Sequence, residues 1–153
     1  MATEAETFER FGRAAFKAQM FETSMVTLLI TTRTLVGKPF KNRDDAQAYI
    51  DRLDKDNLGW LLGKLGQLTD LDHEVATMLE TAVNARNTLT HHFFARYASA
   101  LHTAEGRDQV CADIDQCLAA IYNADDQVIN RIEMLREQMK ELGMIKNTSD
   151  HQV

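Results

Sequence analysis

A single proline, Pro39, interrupts 153 residues, and proline is the residue that helix interiors tolerate least. Long uninterrupted helices are therefore open to the chain on both sides of Gly37-Lys38-Pro39-Phe40, a break that ends one helix and starts a loop. Before the break, residues 4 to 35 keep apolar side chains at helical spacing: Phe8, Phe11, Ala15, Ala18, Met20 or Phe21, Met25, Leu28, Leu29 and Leu35. The stretch Met25-Val26-Thr27-Leu28-Leu29-Ile30 is apolar nearly all round, which suggests a helix covered on several sides. Its Thr and Val content makes a strand the alternative there.

After the break, Asn42-Arg43-Asp44-Asp45 offers an N-cap and an acidic first turn to a short helix through Leu53. A second short helix over 58–68 carries Gly59, Gly63 and Gly66, whose spacing would let another helix approach closely. Thr69-Asp70-Leu71-Asp72 then supplies caps for a long helix over residues 70 to 102, and Gly106 precedes a last helix over 107 to 142. That last helix has an apolar seam in steps of three and four: Val110, Ile114, Cys117, Ile121, then Asp125, Val128, Ile132, Leu135, Met139 and Leu142. The pattern predicts an all-α, single-domain helical bundle of about five helices, three of them long, over residues 1–146, with a flexible tail at 147–153.

Composition narrows the function classes. With 44% hydrophobic and 26% charged residues the chain reads as an ordinary folded protein. Its net charge of −6 argues against a general nucleic-acid coat, because nonspecific affinity comes from neutralising phosphates. A nuclease needs only a local positive patch. There is no uninterrupted apolar run of membrane-spanning length and no basic-then-apolar leader, so the expectation is a cytoplasmic protein with no membrane partner. Cys111 and Cys117 lie about 9 Å apart along one helix axis at 1.5 Å per residue, beyond disulfide reach, as expected for a reduced chain.

Several acidic groupings read as structural. Asp70-x-x-His73 resembles half of a di-iron helix motif, but such sites need the pattern twice, so capping is the better reading. Asp113-Ile114-Asp115 and Asp125-Asp126 read as solvated faces, and the sequence calls for no metal and no cofactor.

The run Arg86-Asn87-Thr88-Leu89-Thr90-His91-His92-Phe93-Phe94 is different. It sets a permanent cation, a carboxamide and two imidazoles inside a segment that otherwise reads as a buried helix. With Val75 at zero on a helical wheel, Arg86 falls at about 20°, near the middle of the stripe formed by Met78, Leu79, Ala82, Leu89, Phe93 and Tyr97. Asn87 falls near about 120° and His91 near about 160°, on the flank and back. A structural account would give Arg86 a buried ion pair with a carboxylate from another helix, and Asn87 a surface hydrogen bond to His91.

The chemical account notes that cleaving RNA requires a base for the 2′-hydroxyl, an acid for the leaving oxygen and a cation for the phosphorane. An imidazole changes charge near neutrality and serves as acid or base. A guanidinium grips phosphate with a planar fork of donors, and Asn87 could orient a water, a phosphate oxygen or the imidazole. Because Arg86 and His91 diverge on one helix, two copies meeting across a two-fold axis would be needed to compose the site.

Arg86-Asn87-Thr88-Leu89-Thr90-His91 resembles the R-x(4–6)-H motif of the HEPN superfamily, in its usual form Arg-Asn-x-x-x-His. The resemblance implies a small helical bundle that dimerises and places the motif of each subunit at a shared cleft. It implies a metal-independent endoribonuclease of toxin or defence type, acting on RNA and paired with an antitoxin or regulatory protein. It gives Arg86 phosphate contacts and His91 catalysis, with Asn87 as a polar support. Many relatives also carry a polar residue on an early helix, for which Glu22 is the candidate, while His92 matches no required position. Two alternatives stand beside the nuclease: a noncatalytic HEPN-type protein that binds nucleotides or a partner, and an unrelated helical adaptor whose last helix docks to a partner.

Overall fold

The computed structural model describes residues 1–53 and 58–145, and every regular element among them is helical. Six α-helices occur: α1 (Glu4–Leu35), α2 (Arg43–Leu53), α3 (Leu58–Leu68), α4 (His73–Thr90), α5 (Phe93–Tyr97) and α6 (Ala104–Glu141), with a 3-10 turn at Ala100–His102. The all-α expectation holds, and the strand alternative at Met25–Ile30 falls, since that stretch is the second half of α1. Among the described residues no helix is long and apolar enough to cross a membrane. The tail at 147–153 lies outside the described residues.

Helix α1 is closed by glycine rather than by proline. Gly37 takes the left-handed φ of 80°, while its amide donates to the Thr34 carbonyl (3.2 Å) and the Lys38 amide donates to that of Arg33 (3.0 Å). This is the paired hydrogen-bond pattern that satisfies terminal carbonyls, and it needs a residue without a Cβ. Pro39 follows two positions later, where it can no longer harm the helix. Gly143 closes α6 in the same way, at φ 69°.

The single-domain expectation meets a chain whose contacts gather in two compact units. The first comprises Met1–Ser24 and Leu71–Asp126. It buries Ala14, Ala18 and Phe21 of α1, Leu79, Ala82, Val83 and Leu89 of α4, Phe93 of α5, and Val110, Ile114, Ile121 and Ala124 of α6. The second comprises Met25–Asp70 and Gln127–Val153, and buries Met25, Leu28 and Leu29 of α1, Leu58, Leu61 and Leu65 of α3, and Val128, Ile132, Leu135 and Met139 of α6. The seam read along α6 is thus buried nearly throughout. The exceptions are Cys117, which is half-buried, and Leu142, which lies exposed beyond the helix end.

The expectation about close approach at glycine changes. Added Cβ atoms on Gly63 and Gly66 would meet nothing within 4 Å, so these positions are open rather than sites of close helix approach. Gly106, in the first turn of α6, carries that role instead. A Cβ there would lie 2.1 Å from the Ala100 carbonyl oxygen, so only glycine lets the 3-10 turn pass so close.

Candidate functional site

The helix predicted over residues 70 to 102 is broken within the motif run, in the first unit. Asp72 caps the start of α4 by accepting from the Glu74 amide at 3.1 Å. The helix ends at Thr90, whose hydroxyl donates back to the Arg86 carbonyl at 2.8 Å, while the His91 amide donates to the Asn87 carbonyl at 3.0 Å. His91 is then extended (φ −113°, ψ 112°) and His92 is left-handed (φ 60°, ψ 20°). His92 is the only non-glycine residue with positive φ among the described residues. A side chain in that region costs roughly 1–2 kcal/mol, although histidine tolerates it better than most residues.

Packing on the far side of the break compensates. The next residue, Phe93, is buried, and its ring centroid lies 5.2 Å from Phe11, 5.4 Å from Phe94 and 4.7 Å from Tyr97. Phe94 in turn lies 4.5 Å from Phe11 and 5.2 Å from Phe8. Aromatic pairs at such distances add roughly 0.5–1.5 kcal/mol each beyond their burial. The kink therefore restores the aromatic side chains to the α1 face while leaving both imidazoles exposed to solvent.

Arg86 sits on the buried stripe of α4, as the helical wheel predicts. Its Nη2 donates to the Glu22 carboxylate of α1 and its Nη1 donates to the Asn87 side-chain oxygen at 3.1 Å. The Arg86 side chain is 15% exposed and that of Glu22 33%. The Arg86 Nε is buried and has no hydrogen-bond partner among the described residues. Arg86, Asn87 and Glu22 are thus brought together. The surface bond between the Asn87 and His91 side chains does not form, because the carboxamide turns to the guanidinium and only the His91 backbone meets Asn87. No hydrogen bond holds the His91 imidazole among the described residues, so it is free to meet a solvent-borne group.

Two acidic residues read as solvated are not. Asp125 is 2% exposed and pairs with the Lys17 ammonium, which lies 4.6 Å from the Tyr122 ring centroid. Asp113 accepts from the Tyr97 hydroxyl and, at 3.0 Å, from the Gln109 amide. Burial, reinforced by that bond and by the Asp113 charge, pushes the Tyr97 phenol up to about 12. Burial and the same carboxylate also raise the Cys117 thiol above its ordinary value. Asp125 falls on the apolar seam of α6, and that position was the available signal. Nothing in the spacing pointed to the bond between Tyr97 and Asp113.

No family model, no curated protein and no solved structure matches this chain.

Proposed function

We propose that this chain is a HEPN-like, metal-independent endoribonuclease of toxin or defence type, whose composite site forms where two copies meet. The observation that supports this reading best is a fixed cation and a free imidazole carried by the same helix end. Arg86 is held by Glu22 and Asn87, and an exposed, unrestrained His91 follows at the strained end of the same helix. Strained backbone of this kind gathers where chemistry is done.

In the proposed reaction, His91 of one copy takes the proton from a ribose 2′-hydroxyl. The 2′-oxygen then attacks the adjacent phosphorus, and the P–O5′ bond breaks. His91 of the other copy delivers a proton to the departing 5′-oxygen, leaving a 2′,3′-cyclic phosphate and a 5′-hydroxyl. Arg86 carries the charge that accumulates on the phosphorane, exchanging part of its bond to Glu22 for a phosphate oxygen.

The test is cleavage of single-stranded RNA with EDTA present. Arg86→Ala and His91→Ala should each abolish it while the dimer persists by light scattering. Full activity in either variant, or a strictly monomeric protein at high concentration, would overturn the reading.

A second reading has an observation of its own. A guanidinium that is largely buried against a carboxylate is what a purely structural ion pair looks like. In an unrelated helical adaptor that keeps Arg86 only for this pair, Arg86→Met would keep or raise stability and change no function.

A further inference from the structure

The second unit contains a cavity of about 370 Å³ that the motif reading does not use. Its wall brings together Arg33 from the last turn of α1, Lys38 from the following loop, Tyr49 and Arg52 from α2, and Trp60 and Lys64 from α3. These are four cations and two aromatic rings, and among the described residues no carboxylate lines the cavity. In a chain of net charge −6 this is a local reversal of sign. Among the described residues, none of the four cations lies within salt-bridge distance of an acidic group.

The cations are also oriented. The Arg33 guanidinium lies 4.8 Å from the Phe40 ring centroid and 5.0 Å from that of Tyr49, and its Nε donates to the Lys38 carbonyl at 2.9 Å. That bond occupies one edge of the fork, while the rings hold its plane. The Lys64 ammonium lies 5.2 Å from the Trp60 ring centroid, and Trp60 remains 36% exposed.

We infer that this cavity binds a nucleotide, its base against Trp60 and its phosphate among Arg33, Lys38, Arg52 and Lys64. Each half of the wall selects for one half of such a ligand. Four clustered cations suit a phosphate, and a partly exposed indole suits a flat heterocycle, since every base has a π-face. The volume lies within the roughly 300–1,000 Å³ of small-molecule sites. A bare inorganic anion would leave the aromatic wall unused, and an uncharged heterocycle would leave four cations unmatched. The inference stands on residues separate from Arg86 and His91 and does not rest on the nuclease reading.

Trp60 is the only tryptophan in the chain, so its fluorescence reports on this cavity alone. The full-length protein is titrated with AMP, with adenosine, with inorganic phosphate and with a single-stranded oligodeoxyadenylate. Binding is confirmed by calorimetry, so that ligand absorbance cannot mimic quenching. Saturable quenching by AMP is expected, with adenosine and phosphate each weaker by at least about tenfold, the loss of one strong contact. Arg52→Gln and Lys64→Gln, at neither of which an ion pair occurs among the described residues, should weaken AMP by a similar factor while the thermal midpoint stays put. His91→Ala should bind AMP like the parent, so failure here and failure of the nuclease proposal are distinguishable. An oligonucleotide that binds more tightly than AMP identifies the ligand as a strand, and one that binds no better identifies it as a free nucleotide. Absence of saturable binding by AMP and by the strand would overturn the inference. Phosphate binding as tightly as AMP would overturn it too, leaving an anion site without base recognition.

Discussion

Glu22 and Arg86 are 64 positions apart in the chain, yet the carboxylate of one accepts directly from the guanidinium of the other. The pair ties α1 to α4 inside the first unit, and the two partners differ in how much water they keep.

That asymmetry sets the outcome of breaking the pair. Removing the carboxylate strands a guanidinium that is mostly buried, whereas removing the guanidinium leaves a carboxylate with a third of its surface in solvent. Glu22→Ala should therefore cost more stability than Arg86→Met. The cost should be about 1–3 kcal/mol, below the usual figure for a fully buried pair because of that exposure. Urea denaturation of both single variants and the double variant measures the difference, and equal losses would refute the asymmetry.

Lys17 and Asp125 form the more deeply buried pair. Lys17→Met leaves an unpaired carboxylate in the core and should destabilise by roughly 3–5 kcal/mol. Replacing both, as Lys17→Met with Asp125→Leu, should recover most of that loss, because two apolar side chains need no compensation. Chemical denaturation of the three variants closes the cycle. A double variant as unstable as Lys17→Met would show that the packing rather than the charge matters at this position.

His92 offers a gain. Glycine at its left-handed position removes a penalty of about 1–2 kcal/mol and adds roughly 0.5–1 kcal/mol of backbone entropy loss. His92→Gly should raise the thermal midpoint by roughly 2 °C. His92→Val should lower it, since a branched side chain fits that conformation worst. Under the proposed nuclease reading, which gives His92 no chemical role, RNA cleavage should be unchanged in the glycine variant.

Tyr97 predicts a dependence on alkaline pH. The folded state holds the phenolic proton more tightly than the unfolded chain, whose tyrosines ionise near pH 10. The resulting stabilisation is fully present below pH 10 and is lost as pH rises towards about 12. Ultraviolet titration should show a tyrosinate step near 12 that Tyr97→Phe removes, and the slope of stability against pH in that window should flatten in the variant. A variant with an unchanged late step would assign it to another tyrosine.

The helices were legible where the signal was local. The bounds of α1 and α3 follow from apolar spacing and the turn residues between them, and the seam of α6 follows from steps of three and four. The break at His91 and His92 was not legible. Neither glycine nor proline marks it, and Phe93 and Tyr97 stay on the apolar stripe as though the helix continued. Asp125 shows a second limit. Its place on the seam was visible, but the Lys17 partner that lets it be buried stands 108 positions away. The placement of Arg86 and its need for a carboxylate were both visible in the run itself. The basic cavity draws on four separate segments, and no spacing rule connects them.

The joint between α4 and α5 also governs how the chain could change length over time. Only two non-helical residues, His91 and His92, separate Thr90 from Phe93, so one residue inserted there would displace Phe93 and Phe94 from Phe8 and Phe11. The loop from Val36 to Asn42 keeps a register of its own, because the Phe40 ring lies 5.2 Å from that of Tyr49 and 4.8 Å from the Arg33 guanidinium. The two-histidine joint, for its part, should keep a constant length even if its residues drift.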